Sequence, residues 1–545
     1  MKKVLFKLRM PFMLIASGLL SAFPLLFPQL GFFQWISMIP MAMVLIWLAK
    51  DKKAKLFRAY GMGMIFYVSF YSVTYHFFLY MYPLDFAGVS NTVSLIIVML
   101  GCVGVAILQA IFSALGFVIF VAVARTKLVR RVPLLMPFIM AAIWVVAEWW
   151  QTIGWWGMPW GKLAIGQVTF NLLVRSASVF GPYFISFVIV AFNFLLAYAI
   201  LKKSPYKAKL AIVAIAISLF CFNLVIGSVV TLTDRESDRE VKVAAVQGNI
   251  PSGEKWSLSY VDTFKIYKEM TEKAAADGAE IVVWPETALP YVVDVRDEID
   301  EHITGDMVIE LIRQVAVDND VTIMISTLTK DKETGMNYNS LYEVSSKGVI
   351  SKEVYNKQKL VPFGEFVPMR DFVTAIFPPL ADINMLSSDL KPGEECVVIN
   401  GEHGKIGCGI CFDSVYETVV LDAVNNDAEI IVLSTNYSWF KDSRALNMHN
   451  AHSQLRAIES GRYVVCAGNT GISSVIDPMG NVLGDVDALE RDYVVADAQL
   501  RESVTLYSVI GNALVYVCAA VPEILLVAEI VFKIKEKSAK NKTQA

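Results

Sequence analysis

Three short stretches of this 545-residue chain carry side chains able to do chemistry. The first is Trp284-Pro285-Glu286-Thr287, directly after Ile281-Val282-Val283. A carboxylate at the C-terminal end of a buried strand points into the crevice where α/β proteins bind ligands, although a glutamate there also serves as a turn cap. The second is Lys357, within Tyr355-Asn356-Lys357-Gln358-Lys359-Leu360 and ahead of Val361-Pro362-Phe363-Gly364-Glu365-Phe366-Val367-Pro368. A lysine in a β-rich segment is ordinarily a solvated surface residue, but the apolar, Pro- and Gly-punctuated stretch behind it describes a shaped loop. The third is Gly407-Cys408-Gly409-Ile410-Cys411-Phe412-Asp413. Here Cys411 closes a strand and precedes a helix, a position where backbone N–H groups favour a thiolate. A free cysteine, with a pKa of about 8.5, is little ionised at neutral pH without help. A carboxylate can take its proton, and an ammonium can stabilise the thiolate and later an oxyanion. The combination is that of acyl transfer through a cysteine. With five histidines, none in a Cys/His or HExxH arrangement, a papain-type or zinc centre has little support.

The elements around these residues alternate. Short β-rich runs at 241–246, 280–284, 321–326, 405–411, 429–434, 463–467 and 473–477 are interleaved with helical patterns at 258–276, 307–317, 415–424 and 445–460. Such alternation predicts an α/β domain whose sheets are covered by helices, and at about 270 residues it can bury a full core. Cys396 lies across an expected hairpin, turning at 400–404, from Cys408. A disulfide between them is open in an oxidising compartment, whereas strand alternation sets Cys408 and Cys411 on opposite faces.

The rest of the chain is of a different kind. It is 55% hydrophobic and 18% charged overall, and residues 10–230 hold most of the apolar excess. Helices crossing a bilayer need about 20 mostly apolar residues. Eight runs meet that length, near 10–28, 31–49, 57–80, 93–123, 133–150, 179–200, 208–230 and 505–532. The expected organisation is seven spans in 1–230, a catalytic domain in 231–504, an eighth span in 505–532 and a basic tail in 533–545. Lysine and arginine cluster at 2–9, 50–58, 125–131, 202–209 and 533–542, and are nearly absent from the intervening loops. By the positive-inside rule both termini are then cytoplasmic and 231–504 lies outside the cytoplasm. Glu148 stands at the end of a span, where an ionised group reaches the interface, and the tryptophan-rich loop after it fits an aromatic belt or a re-entrant mouth. The net charge of -3 gives no reason to expect a nucleic-acid partner.

The wording of the three stretches, in this order, resembles the nitrilase superfamily and, more narrowly, its membrane-embedded branch, the apolipoprotein N-acyltransferases. Further matches are Gln247-Gly248-Asn249-Ile250-Pro251 with Trp256, Asn436 to Ser443 with Trp439-Phe440, and Arg456 to Arg462. Asn469-Thr470-Gly471, Glu148-Trp149 and Gly157-Met158-Pro159-Trp160 also fit. The resemblance implies an αββα sandwich in the periplasm, attached to a multi-pass domain of the inner membrane. It implies that Cys411 attacks the sn-1 ester of a phospholipid, usually phosphatidylethanolamine, and forms a thioester. The α-amino group of a diacylglyceryl cysteine on a lipoprotein then takes the acyl chain. Glu286 would be general base and acid, and Lys357 the oxyanion stabiliser. Glu365 and Asp413 would support them, and Trp256 and Trp439 would lie near the substrate entrance. Phospholipid, diacylated lipoprotein and bilayer are the implied partners, with no cofactor and no metal. Phe412-Asp413 stands where Tyr-Glu is common in the family. The alternative is a membrane-tethered amidase that passes the acyl group to water, though one anchor would suffice for that.

Overall fold

The computed structural model describes residues 2–84, 90–251, 254, 260–289, 292–293, 307–376 and 389–544. The chain forms two compact units, one of Met1–His76, Met99–Leu232 and Ile510–Ala545, the other of Phe77–Val98 and Thr233–Val509.

Seven helices among the described residues are long and apolar enough to cross a membrane: Arg9–Leu26, Pro28–Lys50, Asn91–Ala124, Pro133–Trp150, Pro182–Leu201, Tyr206–Thr233 and Ala513–Ala539. The expected count of eight is thereby corrected. The run expected at 57–80 is a helix over Leu56–Thr74, sufficient in length at 19 residues. Its Arg58, Tyr60, Tyr67, Tyr71 and hydroxyl residues leave it less apolar than the others. Seven crossings would set the two ends on opposite sides; the basic clusters agree with both ends on one side only if Leu56–Thr74 crosses as well. The polar groups of Leu56–Thr74 are used inside the unit. Spaced four apart on one helical face, Tyr67, Tyr71 and Tyr75 stack with ring centroids 5.8 and 5.6 Å apart, and Tyr67 stacks on Trp144 at 5.6 Å.

Glu148 does not reach an interface. It is buried, accepting from Trp144 Nε1 at 2.7 Å and from the Leu163 N–H at 3.1 Å. The loop beyond it turns inward through two short 3-10 turns, Pro159–Gly161 and Leu163–Gln167, whose residues are all buried. A Cβ on Gly31 would lie 2.2 Å from the Gly166 carbonyl, so this close approach requires glycine. Near the C-terminus, Gly511 at φ +52° separates the short helix Leu506–Ile510 from the helix Ala513–Gln544, which continues through the basic tail.

The second unit contains two sheets. The strands are β1 (Glu240–Gln247), β2 (Ile281–Val283), β3 (Val292–Val293), β4 (Thr322–Lys330), β5 (Asn337–Val344) and β6 (Tyr355–Asn356). They continue with β7 (Val398–Asn400), β8 (Lys405–Ile410), β9 (Ile430–Thr435), β10 (Val464–Gly468), β11 (Ser474–Ile476), β12 (Val482–Asp485) and β13 (Asp492–Gln499). One sheet has the order β13-β1-β2-β4-β5-β6 with β3 beside β4, and the other β12-β11-β10-β9-β8-β7. The central strands β1, β2 and β4 are parallel, as are β8, β9 and β10. They are apolar and buried almost throughout, as strands covered on both faces must be. On one side, Val246, Val282, Trp284 and Ile323 pack on Phe264, Tyr267 and Ile312 of the helices Tyr260–Ala276 and Met307–Asn319. On the other, Ile431, Leu433 and Val464 pack on Val420, Ala423 and Ala457 of Glu417–Asn425 and Ala445–Ser460. Between the sheets, Ser434 Oγ donates to the Trp284 carbonyl at 2.8 Å. The layers are helix, sheet, sheet, helix, the αββα sandwich.

The seven expected strands all coincide with observed ones. Strands β3, β5, β6, β7, β12 and β13 were not among them; β13 pairs with β1 from Glu240↔Gln499 to Gln247↔Asp492, closing the sheet with the end of the domain. All seven cysteines are free. The Cys396–Cys408 bond is therefore not made, although the two thiols lie near one another and near Tyr355.

Candidate active site

Four chain segments end at one place. Glu286 follows β2, with its N–H bonded across to the Thr435 carbonyl at 3.4 Å, and Thr287 beside it turns at φ +43°. Lys357 follows the two-residue strand β6, and its N–H donates to the Asn339 carbonyl of β5 at 2.8 Å. Glu365 is set by the loop that leads into it, where its Oε2 accepts from the Val361 N–H at 2.8 Å. Cys411 follows β8 and opens a short 3-10 turn, Cys411–Val415, at φ +49°. That left-handed conformation is rare for a residue with a side chain and persists only where neighbours enforce it.

Lys357 Nζ donates to Glu286 Oε1 and to Glu365 Oε1, at 2.9 Å each, and all three side chains are nearly sealed from water. Asn339 Nδ2 spans the same two carboxylates at 2.7 and 3.3 Å. Burial alone would lower Lys357, but Glu286 and Glu365, joined by Cys411 and Asp413, hold it well above the ordinary lysine value. This lysine stays an ammonium. Burial pushes the Cys411 thiol well above its ordinary value; Glu286 adds to this, Lys357 opposes it, and the Asn436 N–H favours the thiolate. The thiolate-favouring environment expected at this strand end is therefore reversed, because a five-residue 3-10 turn offers a weak dipole against burial and two carboxylates. What the cluster can do is accept a thiol proton at the moment of attack, with a fixed cation next to the reacting centre.

Asp413 is buried and accepts from the Tyr355 hydroxyl at 2.8 Å, the Lys359 N–H at 2.7 Å and the Ile410 N–H at 3.0 Å. It ties the segment after Lys357 to the strand end before Cys411. Burial pushes its carboxyl up to about 6, opposed by Lys357 and these donors. Trp439 lies half-buried on the turn Ser438–Phe440, which follows β9 and Asn436. The Phe440 ring meets Phe77 edge-on with centroids 4.8 Å apart, and Lys441 Nζ donates to the Tyr82 carbonyl at 2.8 Å. Trp256 lies outside the described residues.

The geometry thus brings together Glu286, Lys357, Glu365, Cys411 and Asp413, each named from the sequence. Asn339 and the Asn436 N–H were missed as participants. Asn339 sits in β5, a strand the sequence pattern does not mark, and a backbone N–H carries no residue-type signal at all.

Comparison with known proteins divides the chain similarly. The carbon-nitrogen hydrolase family model matches residues 242–506, and the model for the apolipoprotein N-acyltransferase N-terminal domain matches residues 17–195. The apolipoprotein N-acyltransferase of Geobacter metallireducens is 26% identical over 93% of either chain. That of Gloeobacter violaceus is 26% identical over 91% of this chain and 90% of its own. Among solved structures, a nitrilase-superfamily protein of Saccharomyces cerevisiae aligns over 49% of this chain and 92% of its own, with 17% identity and a TM-score of 0.37.

Proposed function

The chain belongs to the apolipoprotein N-acyltransferase family, and from that premise we propose that it moves an acyl chain from a phospholipid to a lipoprotein through a thioester on Cys411. The observation that carries the reading is the Lys357 ammonium held 2.9 Å from both Glu286 and Glu365 beside a neutral thiol. In the first half-reaction Cys411 Sγ attacks the sn-1 ester carbonyl of the phospholipid, phosphatidylethanolamine being the expected donor, as Glu286 takes the thiol proton. Lys357 stabilises the oxyanion. The C–O bond then breaks, and Glu286 returns the proton to the departing lysophospholipid oxygen. In the second, the α-amino nitrogen of the diacylglyceryl cysteine attacks the thioester, Glu286 takes a proton from nitrogen, and the C–S bond breaks with return of that proton to sulfur. Glu365 and Asn339 hold Lys357 and Glu286 in place, Asp413 braces the two segments, and Trp439 lines the approach of the chains.

By the same proposal the protein lies in the inner membrane, with the sandwich in the periplasm and the basic ends in the cytoplasm, an arrangement in which Leu56–Thr74 crosses the bilayer along with the seven more apolar helices. Support comes from the apolar helices and from the clusters of lysine and arginine at 2–9, 50–58, 125–131, 202–209 and 533–542. Both substrates keep their chains in the bilayer, so a membrane-held site collects them without desorption.

The test is intact mass after incubation of the purified protein with phosphatidylethanolamine. A gain of one acyl chain, labile to hydroxylamine and absent from Cys411→Ala, is expected; discharge of that chain should follow addition of a diacylated lipopeptide much faster than in water. An adduct that survives in Cys411→Ala, or one that water discharges as fast as the lipopeptide, would sink the proposal.

A further inference from the structure

Directly behind the nucleophile is a buried polar group that the chemistry above does not use. Ser414, fully buried in the turn Cys411–Val415, donates its hydroxyl to the Cys411 carbonyl at 2.7 Å. The same Oγ is hydrogen-bonded to His449 Nε2, and His449 also lies against that carbonyl. His449 belongs to the helix Ala445–Ser460 and is itself buried. A serine hydroxyl has one hydrogen, and here the carbonyl receives it. In that arrangement Nε2 carries the ring proton and donates to Oγ. Burial pushes His449 down to about 3, so the ring is neutral throughout the physiological range. The Tyr437 ring packs on the imidazole with centroids 4.2 Å apart, and its phenol lies beside Cys411 and Ser414.

These contacts converge on the one residue of the site that cannot relax without moving its sulfur. At φ +49° the orientation of the Cys411 carbonyl determines where Cβ and Sγ leave the strand end. The N-terminal side of this turn is held by Asp413, through the Ile410 N–H. We infer that the Ser414–His449 pair is a positioning device for the nucleophile, holding the Cys411 carbonyl so that Sγ is presented to Glu286 and Lys357. Neither side chain touches the reacting atoms. The inference rests on Cys411 being the nucleophile but not on which acyl donor it meets.

Two readouts test it, the rate of acyl-enzyme formation from phosphatidylethanolamine and the alkylation of Cys411 by iodoacetamide below the melting temperature. Ser414→Ala is expected to slow the chemical step roughly tenfold or more at unchanged KM, since small misplacements of a reacting group act on kcat. Alkylation should slow with it. Ser414→Thr, which keeps the hydroxyl, should recover most of the rate. His449→Gln keeps a donor where Nε2 stands and should outperform His449→Phe, and adding His449→Phe to Ser414→Ala should cost little more. Wild-type rates in Ser414→Ala, or a Ser414→Thr as slow as Ser414→Ala, overturn the inference. Wild-type protein that is alkylated at Cys411 but takes no acyl chain defeats the functional reading alone, while the alkylation series still decides this one.

Discussion

The state of the Cys411 thiol sets what must be expected of its neighbours. A pre-formed thiolate would need no base, but here burial and Glu286 keep the proton on sulfur, so deprotonation and attack are coupled. Glu286→Gln is expected to lower acyl-enzyme formation by about 10²–10⁴ with little change in KM, the usual range for a lost general base. In the same coupling lies a second expectation: alkylation of Cys411 should keep rising with pH beyond 9, and a plateau near neutrality in stopped-flow alkylation would contradict it. A different buried carboxylate governs stability. Glu343 is pushed up to about 7 by burial, with Glu402 and Glu353 nearby, against a bond from the Glu402 N–H. Its folded value exceeds its unfolded one, so its contribution is greatest in acid and is lost as pH rises from about 4.5 through 7. Glu343→Gln should accordingly raise the melting temperature of the sandwich at pH 8 and leave it nearly unchanged at pH 4. The reverse ordering would show that the carboxylate is stabilised by its site.

Among the elements, Asp413 is the brace between two segments that meet only in space. Asp413→Ala leaves the Ile410 and Lys359 N–H groups without their acceptor. At about 1–3 kcal/mol for each buried group left unpaired, thermal denaturation should show a clear loss, with a fall in kcat as Lys357 shifts relative to Cys411. Stability and kcat both at wild-type level would remove the brace. Which of these relations could be read from sequence depends on distance along the chain. Glu286 and Cys411 sit at the ends of apolar strands whose period is local, so both their element and their position were legible. Lys357 follows a strand of two residues, too short to show a period, and was found only by the loop wording after it. The Asn339 bridge and the Ser414–His449 pair join residues 26 to 53 positions apart, and nothing local distinguishes them from ordinary core. Leu56–Thr74 is the reverse case: its length reads as a span, but nothing local shows that its tyrosines serve an internal aromatic stack.

For the whole molecule, the distribution of basic residues makes a prediction that labelling can check. In intact spheroplasts a membrane-impermeant maleimide should reach Val349→Cys, 63% exposed in the sandwich, and should reach Tyr206→Cys, 77% exposed at the start of the helix Tyr206–Thr233 among the basic residues of 202–209, only after permeabilisation. The opposite pattern would invert the orientation. The sandwich is not one stretch of sequence, since the unit that contains it includes Phe77–Val98 as well as Thr233–Val509. Phe77 and the Tyr82 carbonyl hold the turn that carries Trp439 and follows Asn436. A gene fragment cut at the apparent domain borders would therefore encode a sandwich lacking its own buttress. Ribosomal synthesis delivers that buttress some 150 residues before the first strand, so the part made first must wait for the part it completes.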